Sequence, residues 1–129
     1  MTIEMKQVYR AQTGSIGEDI ACERLQKCGY IIKERNYRKR FGEIDIIAVH
    51  QDVICFIEVK TRRSSGYGSG FDAVTSHKQR RLSRTALDYL TRQRKLDHPA
   101  RFDVVSILLQ KNRQPQVELL QNAFELIEL

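Results

Sequence analysis

The 129-residue chain has no tryptophan, only three cysteines and no CxxC pair. Cys22, Cys28 and Cys55 are odd in number, which argues against a disulfide framework, and their spacing argues against a zinc site. Reduced thiols in a cytoplasmic protein are the expectation. The stretch Met1 to Gln12 is polar and lacks the apolar core of a signal peptide. No apolar run approaches the roughly 20 residues that a membrane span needs, so no membrane partner is expected. Internal repeats and low-complexity stretches are missing too. The length suits one domain, 1–129, with a modest core from about residue 13 to 110.

What the chain does have is positive charge, unevenly placed. The net charge is +6, which favours a polyanionic partner. Between Arg62 and Lys95 stand nine basic residues and two acidic ones, +7 for that segment against −1 for everything else. Arg62, Arg63, Lys78, Arg80, Arg81 and Arg84 are the candidate DNA contacts in it. The alternative is a solvated helix face.

Directly before this run come two segments rich in β-branched residues, Gly42 to His50 and Val53 to Lys60. They read as strands joined by a tight turn at Gln51-Asp52. If His50 pairs with Val53, antiparallel register sets Val49 opposite Ile54 and Ile47 opposite Phe56. It then sets Asp45 opposite Glu58 and Glu43 opposite Lys60. Alternation puts all eight side chains on one face. Facing carboxylates repel, and burying them is costly without compensation. A divalent metal held by Asp45 and Glu58 is one compensation, and Lys60 as a fixed counter-ion is another.

The remaining elements fall around this pair. Ser15 to Cys28 reads as a helix with Ile20, Ala21, Leu25 and Cys28 on one side at ~100° per residue, and Gly29 ends it. Glu18 lies on the apolar side of that helix, either aimed inward or simply an acid in the first turn. The residues before about Thr13 carry little pattern. Tyr30 to Tyr37 reads as a first strand, and Arg38-Lys39-Arg40 as a basic turn. Ser64 to Gly70, with three glycines and three serines, reads as a mobile loop, an arm closing on a ligand or a plain connector.

A second helix begins near Thr75 or Ser76, with Leu82, Ala86, Tyr89 and Leu90 as its apolar stripe. Lys78 and Gln79 fall on the inward side of its first turn, where N–H groups and cations suit a phosphate. His77 beside the cap fits a structural role better than a chemical one. Ala100 to Leu109 is a strand parallel to the third by default. Asp103 within it suits a cap or a salt bridge to Arg101 or to an arginine of the second helix. Gln116 to Gln121 reads as an edge strand.

Gly17-Glu18, Phe41-Gly42-Glu43-Ile44-Asp45, Glu58-Val59-Lys60-Thr61-Arg62 and Arg101-Phe102-Asp103-Val104-Val105 together resemble the small bacterial YraN family. Asp45 followed by Glu58-Val59-Lys60 is similar to the signature of the PD-(D/E)XK nuclease superfamily, which includes archaeal Holliday junction resolvases. Ile44 stands where the superfamily's name has proline.

The resemblance implies an α/β fold with a restriction-endonuclease-like αβββαβ core, a mixed central sheet flanked by helices. It implies a metal-dependent DNA endonuclease, with branched DNA among its substrates, working in recombination or repair. Asp45, Glu58 and the Val59 carbonyl would hold one or two Mg²⁺ or Mn²⁺ ions. Lys60 would handle the attacking water, Glu18 would complete the catalytic set, and Lys78 and Gln79 would be auxiliary. Resolving a four-way junction would need two sites, hence a homodimer. Two rivals stand beside this: a non-catalytic DNA-binding module partnering a helicase or recombination enzyme, and a structural protein whose cluster is a salt bridge around Lys60.

Overall fold

The computed structural model describes residues 2–63 and 74–127. The expected loop at 64–70 lies outside them. Two helices, α1 (Ile3–Lys27) and α2 (Ser76–Arg92), and five strands, β1 (Ile31–Lys39), β2 (Gly42–His50), β3 (Val53–Arg62), β4 (Ala100–Leu108) and β5 (Gln116–Phe124), follow in the order αβββαββ. The strands form one sheet in sequence order. β1, β2 and β3 pair antiparallel, β3 and β4 parallel, and β4 and β5 antiparallel. The mixed α/β core expected of the sequence is therefore the observed one. β5 runs three residues further than its apolar pattern suggested.

The two helices cover opposite faces. Ala21 and Leu25 of α1 pack on Ile46, Ala48, Cys55, Ile57, Val105 and Ile107. Leu82, Ala86, Tyr89 and Leu90 of α2 pack on Ile47, Ile54, Phe56 and Phe102. Strand residues of opposite parity thus feed separate cores, as a half-turn per residue requires. This is why β2 and β3 are apolar throughout: both are interior strands with a helix on each side. Burial in the α1 core pushes the Cys55 thiol up to about 12, so it stays protonated. All three cysteines are free. Among the described residues no helix is long and apolar enough to cross a membrane.

Helix α1 is longer than its periodicity indicated, starting at Ile3 rather than Ser15. Thr2 caps it, accepting the Met5 N–H at 3.2 Å. Gly14 lies inside it rather than before it, together with Gly17, although each glycine weakens a helix by about 1 kcal/mol relative to alanine. At Gly17 a tertiary contact explains the tolerance. A Cβ at Gly17 would stand 1.8 Å from Thr61 Oγ1, so α1 rests directly on β3 at this point. Gly17→Ala is expected to destabilise the fold by about 1–3 kcal/mol, the usual cost of overpacking, even though alanine is the better helix former. Urea denaturation measures it. A variant as stable as the parent would show that α1 can leave β3 here at no cost.

Candidate active site

The β2–β3 ladder starts as expected: His50 faces Val53, Val49 faces Ile54 and Ile47 faces Phe56. It ends at Ile46–Ile57, one step short of Asp45 and Glu58. Beyond that step the Val59 N–H donates to Asp45 Oδ2 at 2.8 Å. A side chain has taken the place that a ladder bond would fill.

The cause is a slip in side-chain alternation. Ile47 turns to α2 and Ile46 to α1, so regular pleating would turn Ile44 to α1 as well. Ile44 instead packs in the α2 core. Strand β1 changes faces at the same level, between Arg35, paired with Ile46, and Tyr37, paired with Ile44, within one register; the β1–β2 pairing itself shifts earlier, between Ile32 and Glu34. Arg35 reaches Asp19 of α1 at 2.9 Å, whereas Tyr37 OH donates to Asp88 of α2 at 2.6 Å. Between them Asn36 has φ 53, a left-handed conformation that asparagine tolerates. Asp45 sits opposite this pivot, at the point where β2 changes faces. The expected single face of eight side chains is therefore corrected. Val49, Ile47, Ile54 and Phe56 share the α2 side, but the pairing does not continue to Glu43 and Lys60. Glu43 instead meets Arg38 of β1 at 3.2 Å.

Because it lies at the change of face, Asp45 lines two clefts. One, of about 470 Å³, is walled by Glu43, Asp45, Glu58, Thr75, His77, Lys78, Arg81 and Leu82. The other, of about 400 Å³, is walled by Thr13, Gly14, Glu18, Asp45, Val59, Thr61, Arg62 and Arg63. The first opens toward the start of α2, the second toward α1 and the end of β3. Gly42 allows the first wall to close up: a Cβ there would be 2.4 Å from Thr85 Oγ1 and 3.0 Å from the Arg81 carbonyl.

Glu58 is 8% exposed and is ion-paired with Lys78 from α2. The Asp45 carboxyl is raised well above the usual carboxylate range. Burial is the main cause and the Glu58 charge the next, with the Val59 N–H bond acting against both. A buried acid that resists ionisation beside a second acid lacks positive charge at that spot.

The other expected site residues are placed as follows. Glu18 lines the second cleft, where Asn36 Nδ2 donates to it at 3.4 Å and Arg35 lies 3.7 Å away. Lys60 is half-buried on β3, paired in register with Ser106. Gln79 is turned aside: its amide donates to the Val74 carbonyl at 2.8 Å, securing the chain just before α2. Among the candidate DNA contacts, Arg62 and Arg63 stand in the second cleft, and Arg63 Nε donates to Thr13 Oγ1 at 2.9 Å. Arg81 stands in the first and bonds the Phe41 carbonyl at 3.2 Å. Arg84 lies 4.5 Å over the Phe41 ring, and Arg80 is exposed. Thr61 was given no role by sequence, Thr75 was read only as a cap and His77 as structural, yet all three line the clefts. For His77 the signal was its place two residues after the cap of α2.

Among the described residues no group of three or more His, Cys, Asp or Glu side chains is drawn close enough to cage a metal. The oxygen donors beside Asp45 in the first cleft are the carboxylates of Glu58 and Glu43. Such a set suits a hard cation that keeps several of its own waters, as Mg²⁺ does.

The model of one protein family matches residues 17–107, an interval that runs from the Gly17 contact past Asp45, Glu58 and the start of α2 into β4. The chain belongs to the uncharacterised protein family UPF0102. UPF0102 proteins of Geobacter metallireducens and Syntrophus aciditrophicus are 50% and 48% identical to it, over 92% and 98% of this chain and 97% of each of theirs. A UPF0102 protein of Rhodococcus jostii is 45% identical over 86% of this chain and 94% of its own. UPF0102 is the YraN family that the motifs around Asp45 and Glu58 resemble.

Proposed function

We propose that the chain is a metal-dependent endonuclease-like hydrolase of DNA phosphodiester bonds, with branched DNA among its substrates. One observation carries the proposal: two carboxylates from neighbouring strands, Asp45 and Glu58, line one cleft, and Asp45 also lines a second, both clefts carrying cations. The cations are Lys78 and Arg81 from α2 and Arg62 and Arg63 from β3 and the residue after it. A phosphate backbone is the polyanion such an arrangement fits.

Asp45, Glu58 and the Val59 carbonyl would hold Mg²⁺ or Mn²⁺. When bound, such an ion supplies Lewis acidity, making a water more acidic and offsetting charge on the scissile phosphate. The rest falls to the chain's own side chains. The Val59 N–H fixes the Asp45 carboxylate by one oxygen. Lys60, next but one after Glu58, would hold the attacking water or take its proton. Arg81 and Lys78 would bind the strand through its phosphates, and Arg62 and Arg63 would do so on the other side. Glu18, held by Asn36 and Arg35, would shape the second cleft. Cutting both strands of a four-way junction would take two such sites and hence a homodimer.

The test is cleavage of labelled four-way junction, flap, single-stranded and linear duplex DNA with Mg²⁺, Mn²⁺ or EDTA, comparing the parent with Lys60→Ala. Metal-dependent product is expected from the parent, at least about 100-fold less from the variant on the scale of losing a positioned proton-transfer group. Equal product from both would remove Lys60 from the chemistry, and product in EDTA would remove the metal.

A second reading is a DNA-binding module without cleavage, partnering a helicase or recombination enzyme. The ammonium of Lys78 on Glu58 favours it, because that ion pair already neutralises one of the two acids. Salt-sensitive binding that is indifferent to EDTA, with no product from any substrate, is its signature.

A further inference from the structure

Glu58 is the least exposed acid in the first cleft, and its ion-pair partner comes from another element. Lys78 reaches it from the first turn of α2. The two ends of that contact differ in freedom. The Glu58 side chain is 9% exposed, and the Lys78 side chain is 49% exposed. The Lys78 backbone is fixed, its N–H donating to Thr75 Oγ1 at 3.2 Å, while the Gln79 N–H bonds the Thr75 carbonyl at 2.8 Å. Four methylenes separate this fixed backbone from the ammonium, and the cleft they cross holds about 470 Å³. The ammonium can therefore swing off Glu58 without α2 unwinding.

We infer that Lys78 is a built-in counter-ion that a divalent metal must displace from Glu58, and that its release couples metal binding to DNA binding. The inference rests on the proposed metal site. A doubly charged ion between Asp45 and Glu58 and an ammonium seated on Glu58 would be close neighbours of like sign, in a partly desolvated cleft where such repulsion is strong. The metal form therefore sends the ammonium outward, toward the mouth of the cleft where Arg81 also lies. There it becomes one more cation for a DNA phosphate. By linkage the effect runs both ways: DNA that takes up Lys78 raises the metal affinity by the factor by which metal raises the DNA affinity. The empty cleft thus holds Glu58 neutralised, and Lys78 is released to the phosphates only when metal arrives.

The experiment is calorimetric titration of Mn²⁺ alone into the parent, Lys78→Met, Lys78→Gln and Lys78→Arg, without DNA, followed by fluorescence anisotropy of a labelled duplex with Mn²⁺ or EDTA. Removing the ammonium is expected to tighten Mn²⁺ by about ten-fold in both Lys78→Met and Lys78→Gln, the scale of one displaced charge in a half-exposed site. Lys78→Arg is expected to behave as the parent does. Mn²⁺ is expected to tighten duplex binding by the parent more than that of Lys78→Met, in which only the metal's own charge is added. Mn²⁺ affinities of Met and Gln variants equal to or weaker than the parent's would overturn the role of Lys78 and leave the metal site standing. No Mn²⁺ binding by the parent would bring down the metal site and this inference together. Circular dichroism of each variant separates loss of fold from loss of binding.

Discussion

Asp45→Asn is expected to make the metal-free protein more stable at pH 8 while abolishing its metal-dependent cleavage. The first effect follows from the carboxyl's environment. Burial and the Glu58 charge raise its pKa above the ordinary value near 3.8. A raised acid stabilises the fold fully below its unfolded pKa, and that contribution is lost as pH climbs through the folded value. At pH 8 the metal-free protein therefore carries an ionised Asp45 that its surroundings oppose. Asparagine is neutral throughout and can still accept the Val59 N–H. The gain is expected to be about 2 kcal/mol at pH 8, within what a raised buried acid represents, shrinking to nothing near pH 4. Urea denaturation in EDTA across that range measures it. Parent and variant curves that stay parallel with pH would mean that Asp45 is not raised. The second effect, if the proposed chemistry holds, is a loss of cleavage on the order of 10³-fold, the scale of removing one preorganised electrostatic stabiliser. Mg²⁺ should then raise the stability of the parent and not that of the variant.

The elements that organise this site were readable in the sequence because they depend on local pattern. Alternating and continuous β-branched runs marked β2 and β3, the apolar stripe from Leu82 to Leu90 marked α2, and Thr75 marked its cap. Pairing from His50–Val53 to Ile47–Phe56 followed from the short turn. The parallel β3–β4 pair followed from the helix between them. The register failed where a single residue departs from regular backbone. At Asn36, in the left-handed region, the side chains of β1 change faces, and those of β2 change faces opposite it, so Asp45 leaves the face that alternation gives it. Asparagine marks such positions only weakly, since most asparagines are not left-handed. The front half of α1 was missed for another reason. Gly14 follows a stretch with little apolar pattern and so looks like a helix boundary, while Gly17, inside the expected helix, is explained by the close approach of Thr61. Gln79 sits on the inward side of α2 as its spacing implied. Its amide nevertheless turns back to the Val74 carbonyl, a local bond that periodicity does not report.

Asp103→Ala is expected to cost about 3–5 kcal/mol, the largest stability loss of any single change argued for this chain, because it breaks a buried charge pair from one side. Asp103 is completely buried and sits where the β4–β5 register shifts. Its two oxygens accept Arg101 Nε at 3.0 and 3.2 Å, the Tyr30 hydroxyl at 2.9 Å and the Asn122 N–H at 2.9 Å. Tyr30 in turn accepts from Arg101 Nη2 at 3.0 Å and from Gln121 Nε2 at 2.9 Å, and its ring stacks on His50 at 4.3 Å. Of the roles that sequence allowed for Asp103, the salt bridge to Arg101 is the one observed. The residue is the counterpart of Asp45: each aspartate accepts a backbone N–H where a ladder is interrupted. The difference lies in the company. Asp103 has a guanidinium beside it and every lone pair engaged, whereas Asp45 has another carboxylate. One is finished as structure, and the other is left short of positive charge. Urea denaturation of Asp103→Ala and Asp103→Asn tests the contrast. Asparagine can keep the Asn122 N–H but must turn an amide toward donors, so it is expected to lose about 2 kcal/mol. It would be the reverse of Asp45→Asn, where the same exchange stabilises. Asparagine shifting stability in the same direction at both positions would mean that the two sites do not differ in charge balance.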